Sequence, residues 1–245
     1  MNRRMLLSVA VAGIIAVFTA GAAFAQQSSF SVAPPPIASP SFEAGKGEGK
    51  FRFTYLTISG EGMDLKGGGF DFVGRSAFSE SLAGDVSVGF LFMSADFTAG
   101  SMFLMNIPFS ANLELQAYKG DVLSTILFAG PAMIMTPGSM EMTIMNQTYT
   151  YSIFNFMYGA QAGVQLGVKL GDVTLAPFAM AQNLRGSSTI TDDQGNSTTT
   201  DIPAYTTTSY GADLVYAPWG LTLSSVLQEA KKADDQTPGY KTHMY

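Results

Sequence analysis

The side chains able to do chemistry here are few. His243 is the only histidine and there is no cysteine among 245 residues. A nucleophilic triad or an imidazole-bound metal needs a histidine held beside partners, and thiolate sites and disulfide frameworks are excluded outright. No catalytic, cofactor or metal site is therefore expected. The paired acids Asp192-Asp193 and Asp234-Asp235 could bind calcium weakly, but read more simply as solvated loop charge. Gly67-Gly68-Gly69 lacks the Lys-Ser/Thr of a phosphate loop and reads as a hairpin loop. What remains is a set of ten polar residues: Arg52, Asp71, Arg75, Asn106, Glu114, Gln116, Asn155, Gln161, Gln165 and Asp213. Each falls among apolar residues at every second position.

That spacing defines the elements. From Phe103 to Tyr118 one parity carries Phe103, Met105, Ile107, Phe109, Leu113 and Leu115, the other Asn106, Ser110, Asn112, Glu114 and Gln116. From Ile153 to Leu170 the even positions are apolar and the odd ones are Asn, Gln, Gly and Lys-rich. Successive strand side chains point to opposite faces, so each segment has one greasy and one polar face. Gly-containing turns at 82–85, 119–121, 170–172 and 218–220 alternate with longer polar connections at 60–67, 96–101, 136–152, 185–204 and 230–239. Strands are expected near 50–59, 68–79, 84–95, 102–118, 121–135, 153–170, 172–184, 205–217 and 220–229, with a short one at 239–245. The architecture is all-β, an antiparallel up-and-down transmembrane barrel of 8–10 strands, an even number being favoured over nine.

The ends divide off from this body. Arg3 and Arg4, an apolar stretch from Leu6 to Ala20 and the small-x-small sequence Ala23-Phe24-Ala25 form a cleavable export signal over 1–25. Residues 26–49, with Pro34-Pro35-Pro36 and the Gly-rich run 45–49, read as a flexible periplasmic tail, leaving 50–245 for the barrel. Loss of the signal moves the formal charge from −6 to −8, which argues against a nucleic-acid partner. Charged residues are only 13% of the chain, about half the usual share, too few for an ordinary wetted surface.

A helical membrane protein competes with this reading through the uncharged runs 122–140 and 142–168. Gly130-Pro131 and Pro137-Gly138 break the first as a helix, and the alternation at 102–118 has no helical counterpart. A soluble periplasmic sandwich would carry more charge on its outer face.

The export signal, the cysteine-free alternating meander, the Gly-Asp turns and the terminal Tyr245 together resemble the bacterial outer-membrane β-barrel proteins, in particular the small OmpA- and OmpW-like members. The resemblance covers 50–245 and is one of architecture. It implies outer-membrane localisation, short turns in the periplasm, long loops outside the cell, and outer-membrane lipids and the barrel-assembly and export machinery as partners. Lys241 and His243 depart from it by standing where the closing strand should be apolar, and His243 is expected near the periplasmic end. The ten polar residues should line the lumen. They form either a plug, with Arg75 paired to Glu114 or Asp71, or a narrow polar path widened by Gly89, Gly159, Gly163 and Gly167. The corresponding functions are a non-enzymatic structural or surface-interaction barrel or, alternatively, a narrow porin-like channel for small polar solutes. A small polar solute or extracellular ligand is the conceivable small partner.

Overall fold

The computed structural model describes residues 42–60, 63–97, 100–144, 146–216, 221–230 and 241–244. The export signal, most of the tail, Trp219, Asp234-Asp235 and Tyr245 lie outside them. Ten strands follow one another: β1 Gly47–Gly60, β2 Met63–Ala77, β3 Leu82–Phe97, β4 Gly100–Lys119, β5 Leu123–Ile144, β6 Gln147–Leu170, β7 Val173–Thr191, β8 Ser197–Tyr216, β9 Leu221–Ala230 and β10 Lys241–Met244. Consecutive strands pair antiparallel from β1 to β9, and the sheet closes on itself. We call the end at which β1 enters the lower end.

Closure is where the preference for an even number fails. Nine strands close the ring at its lower end, and β10, with four residues, enters it only higher up. The first and ninth strands of a meander start from the same end, so they must meet parallel, and they do so at Phe51↔Leu221, Arg52↔Thr222 and Phe53↔Leu223. Higher up, β10 wedges between them, antiparallel to both. His243 pairs with Thr57, three residues from the upper end of β1. It is therefore in the upper half of the wall, not near the lower end as expected.

Several expected loops are also strand. The β3–β4 and β5–β6 ladders run to Phe97↔Gly100 and Ile144↔Gln147, and the β7–β8 ladder to Thr191↔Ser197. Segment 185–204 loses its apolar alternation because both faces turn polar there, while 136–152 keeps Met140 and Met142 on the inward parity; backbone pairing continues through both. Gly67-Gly68-Gly69 lies inside β2, paired with Leu56, Tyr55 and Thr54. Asp85 belongs to β3, and the turn it was assigned to is at 78–81. β1 starts at Gly47, inside the expected tail.

The uncharged run 122–140 is β5. Its two prolines have no N–H to give, and the β4–β5 register skips both Gly130-Pro131 and Thr136-Pro137, while the β5–β6 ladder runs through unbroken. Three glycines in adjoining strands mark where neighbouring backbone comes close. A Cβ on Gly130, Gly159 or Gly186 would lie 1.9 Å from the carbonyl oxygen of Ala111, Asn183 or Phe156. Only glycine lets the neighbouring backbone come that close. Gly159→Ala must push β6 from β7, and overpacking of this kind costs roughly 1–3 kcal/mol. The expected result is a lower urea midpoint in detergent than for the parent; an unchanged midpoint contradicts the close approach.

Candidate functional site: the barrel interior

All ten polar residues singled out in the sequence are buried, Gln116 and Arg75 being the most exposed at 7%. The opposite parity is exposed: Phe51, Phe53, Phe72, Leu113, Leu127, Leu166 and Leu214 lie between 40% and 55%. In a single closed sheet the buried side is the interior. It is built in three storeys.

The floor is apolar and includes a residue from before the barrel. Phe42 is 2% exposed and packs with Ala77, Ala83 and Ile126. Its backbone N–H donates to Gln116 Oε1 at 3.4 Å, and the Arg75 guanidinium stands 5.5 Å from its ring centroid. The tail thus sends an aromatic stopper into the lower mouth, which its Pro/Gly-rich composition gave no reason to expect.

The middle storey holds the charges. Arg75 Nη2 donates to Glu114 Oε1 at 2.8 Å, and Arg75 Nη1 lies 3.7 Å from Glu48. Arg52 lies between Asp213 at 3.3 Å and Asp71 at 3.8 Å. Of the two acids expected for Arg75, the structure selects Glu114 and gives Asp71 to Arg52. Gln165 Nε2 also donates to Asp213. A relay of amides runs along the inner face from β3 to β7: Asn112 Nδ2 donates to Asp85 at 3.1 Å, Gln161 Nε2 to Asn112 Oδ1 at 2.9 Å, and Gln182 Nε2 to Gln161 Oε1 at 2.9 Å. Asn112 on β4 reaches Gln161 on β6 past β5 because Gly130 stands between them with no side chain. Asp85, Asn112 and Gln182 were missed as site residues; Asn112 shares parity with Glu114, and that was the available signal. Asn106 accepts a hydrogen bond from Thr136, and Asn155 is buried higher on β6.

The roof is apolar again. Ala132, Ile134, Met157, Leu184 and Ile202 pack together with Tyr205, and Thr136, Asn155 and Ser188 are buried further up the same strands. Ala132, Ile134, Met157 and Leu184 share the lumen parity of the polar residues on their strands, and Ile202 turns inward across the register shift at Leu184/Gly186, so a rule that equates inward with polar misses them.

The glycines proposed to widen a path instead admit their neighbours. A Cβ on Gly89 would meet Pro108 at 3.0 Å, on Gly163 the Phe128 ring at 2.5 Å, and on Gly167 the Ser124 hydroxyl at 2.6 Å. The space they free is occupied. Burial without full hydrogen bonding still leaves polar oxygens inside, among them Asp85 Oδ2, Glu114 Oε2 and Ser209 Oγ, positions suited to internal water.

Among the described residues no group of three or more His, Asp or Glu side chains is placed to hold a metal. The Asp192 carboxylate, a candidate calcium ligand, instead caps its own turn. It accepts hydrogen bonds from the backbone N–H of Asn196 at 2.7 Å and of Gln194 at 3.0 Å, and from the Asn196 side-chain amide at 2.9 Å. Chiefly through the Asn196 amide and N–H, these bonds hold its carboxyl below the usual range.

No protein-family model matches the sequence. No curated protein matches it either. Among solved structures the chain is similar to the translocator domain of the autotransporter NalP from Neisseria meningitidis, with 12% identity, a TM-score of 0.33, and coverage of 82% of this chain and 88% of that one.

Two outcomes follow from this interior. Removing one partner of a buried pair strands a charge and costs about 3–5 kcal/mol, whereas removing both does far less damage. Arg75→Met should therefore lower the urea midpoint more than Arg75→Met/Glu114→Leu; equal losses would contradict the pairing. At Asp192 a depressed folded value means that the turn's stabilisation is present above the unfolded carboxylate value of about 3.9 and is lost as pH falls through the lower folded one. The amide shifts of Gln194 and Asn196 should titrate together with a midpoint below that value, and a midpoint at or above it contradicts the cap.

Proposed function

We propose that the chain is an outer-membrane β-barrel with a filled lumen, serving a non-enzymatic structural or surface-interaction role. One observation carries this: a closed sheet whose outer face presents large apolar side chains while Arg52, Asp71, Arg75, Asp85, Glu114 and Asp213 all turn inward. Such an arrangement is inside-out for water. In hydrocarbon it is the required one, because a closed barrel pairs its backbone groups between strands and turns a mainly apolar face outward. The N-terminal export signal read from the sequence supports delivery to the envelope, and with it the barrel-assembly machinery and outer-membrane lipids as partners.

The surface role draws on strand length. About 9–11 residues cross the hydrocarbon layer at a tilt near 45°, yet β5, β6, β7 and β8 have 22, 24, 19 and 20. Their upper hairpins extend past the apolar band as a hydroxyl-rich sheet, with Thr189–Thr199 and Thr191–Ser197 side-chain pairs at 2.9 and 2.8 Å. A folded sheet standing above the membrane is a platform for contact with another surface. The alternative, a narrow channel for small polar solutes, has against it the apolar roof, the Phe42 floor and the occupied glycine positions.

In planar bilayers the inserted protein should show no stepwise conductance; discrete steps would favour the channel. Val164 faces outward in the band, so Val164→Arg should cost about 2–4 kcal/mol near mid-depth. Thr150→Arg, outward beyond the band, should be neutral in the same refolding assay. Equal tolerance of both would remove the basis for a lipid-facing belt.

A further inference from the structure

The upper part of the lumen, above Thr136 and Asn155, holds a contiguous patch of thioethers. Met93 on β3, Met102 on β4 and Met140 on β5 turn inward and are 1%, 3% and 3% exposed. Met142 stands two residues above Met140 on the same face, part-buried. The registers bring the four together. Met102 is directly opposite Met140. Met93 pairs with Leu104 and Met142 with Gly100, so both lie on the diagonal from Met102. Directly opposed residues have Cβ atoms about 5 Å apart, and diagonal neighbours are roughly 7–8 Å apart. Inward side chains converge inside a closed barrel, and each thioether swings on three rotatable bonds, so the four sulfurs can meet at one centre.

Methionine is an ordinary filler of irregular cores, and Met157 serves so in the roof, where its sulfur accepts the Tyr205 hydroxyl at 3.3 Å. The upper four differ in their company. Met140 pairs with Tyr151 and Met142 with Tyr149, both part-buried, so aromatic faces extend a lining of soft, uncharged groups. Around them, the hairpin segments 94–104, 138–153 and 186–204 carry Asp96, Glu141, Asp192, Asp193 and Asp201 and neither lysine nor arginine. Rim and lining are in electrostatic reach of each other: burial and the neighbouring Asp193 carboxylate push the Tyr151 phenol above its ordinary value. Core filling asks nothing of such a rim. A cation does, because a mouth of one sign draws the opposite sign toward it.

The lining then selects which cation. Thioethers are neutral and polarisable. Hard ions prefer carboxylate, carbonyl and water, and borderline ones imidazole, whereas Cu(I) selects soft sulfur.

We propose that Met93, Met102, Met140 and Met142 form a binding site for one Cu(I) ion, entered from the upper mouth past Tyr149 and Tyr151. The ion arrives and leaves as Cu(I), so no electron is transferred. With the apolar roof beneath, it is held rather than passed. The site goes beyond the structural role of the barrel and does not depend on the outer face meeting lipid.

The test uses the full processed chain refolded in detergent under anaerobic, reducing conditions, with Cu(I) offered from a weak chelator. Bound copper is counted after desalting, its neighbours are read by X-ray absorption, and heat-modifiable gel migration checks closure on the same samples. The parent should retain one Cu(I) with methionine sulfur as its nearest neighbours. Met102→Leu/Met140→Leu keeps the volume of the layer and should migrate as the parent does while losing the ion. Met133→Leu/Met135→Leu, the same exchange on the outward parity of β5, should retain it. Where the inward double variant does not close, Met102→Leu alone decides, through a fall in the number of sulfur neighbours. The site is overturned by a parent that retains no copper or binds it through nitrogen or oxygen alone. It is equally overturned if the inward exchange retains as much copper as the parent, if the outward exchange loses it, or if Met102→Leu leaves the sulfur count unchanged.

Discussion

A closed wall set in hydrocarbon leaves each backbone N–H and C=O only a neighbouring strand to pair with, because neither face would offer the backbone a substitute. Closure follows from that demand, and so do the oddities of the seam. Nine strands in a meander bring β1 and β9 together pointing the same way, and the parallel Phe51–Phe53 ladder accepts this geometry where an even meander would close antiparallel. The four residues of β10 fill the upper part of the same gap. The prolines of β5 fit because their missing donors fall at the skipped positions of the β4 ladder.

Once the sheet is closed, its radius sets what the inside can be. A barrel of this size is filled by side chains rather than left as a wide pore, and alternation delivers one residue in two to that filling. The charged members pair both with the adjoining strand, as Arg52 with Asp71 and Arg75 with Glu48, and across strands that are not adjacent, Arg52 on β1 with Asp213 on β8 and Arg75 on β2 with Glu114 on β4. Their partners lie inside the ring because a buried charge needs an opposite charge or a hydrogen bond close by. Apolar layers above and below, the roof under the hairpins and the Phe42 floor, confine these charges to the middle.

The wall was legible from sequence wherever its two faces differed in chemistry. Residues 102–118 and 153–170 alternate cleanly because one face is apolar and the other carries amides and carboxylates, and the ten inward residues were picked on that contrast. Legibility failed where the contrast vanished. In 131–140 both faces are apolar, since Ala132, Ile134 and Met140 point inward, so the strand looked like a helix candidate. In 185–204 both faces are polar, so paired strand looked like loop. Phe42 was hidden for another reason: a single aromatic in a Pro/Gly-rich tail carries no periodicity, and only the fold reveals that the lower mouth needs a cover. The register of His243 depended on the odd strand count, which no local pattern encodes.

Because the chain is free of cysteine, a nitroxide can be placed at each position from 153 to 168 in turn without background. Collision with oxygen, which concentrates in lipid, and with a water-soluble nickel chelate then reports what each side chain faces. The account predicts strict period-2 behaviour in the bilayer, with even positions such as Phe156, Ala162 and Val164 open to oxygen and odd positions such as Asn155, Gln161 and Gln165 shielded from both probes. A 3.6-residue period, or equal access of the nickel chelate to both parities, would contradict it.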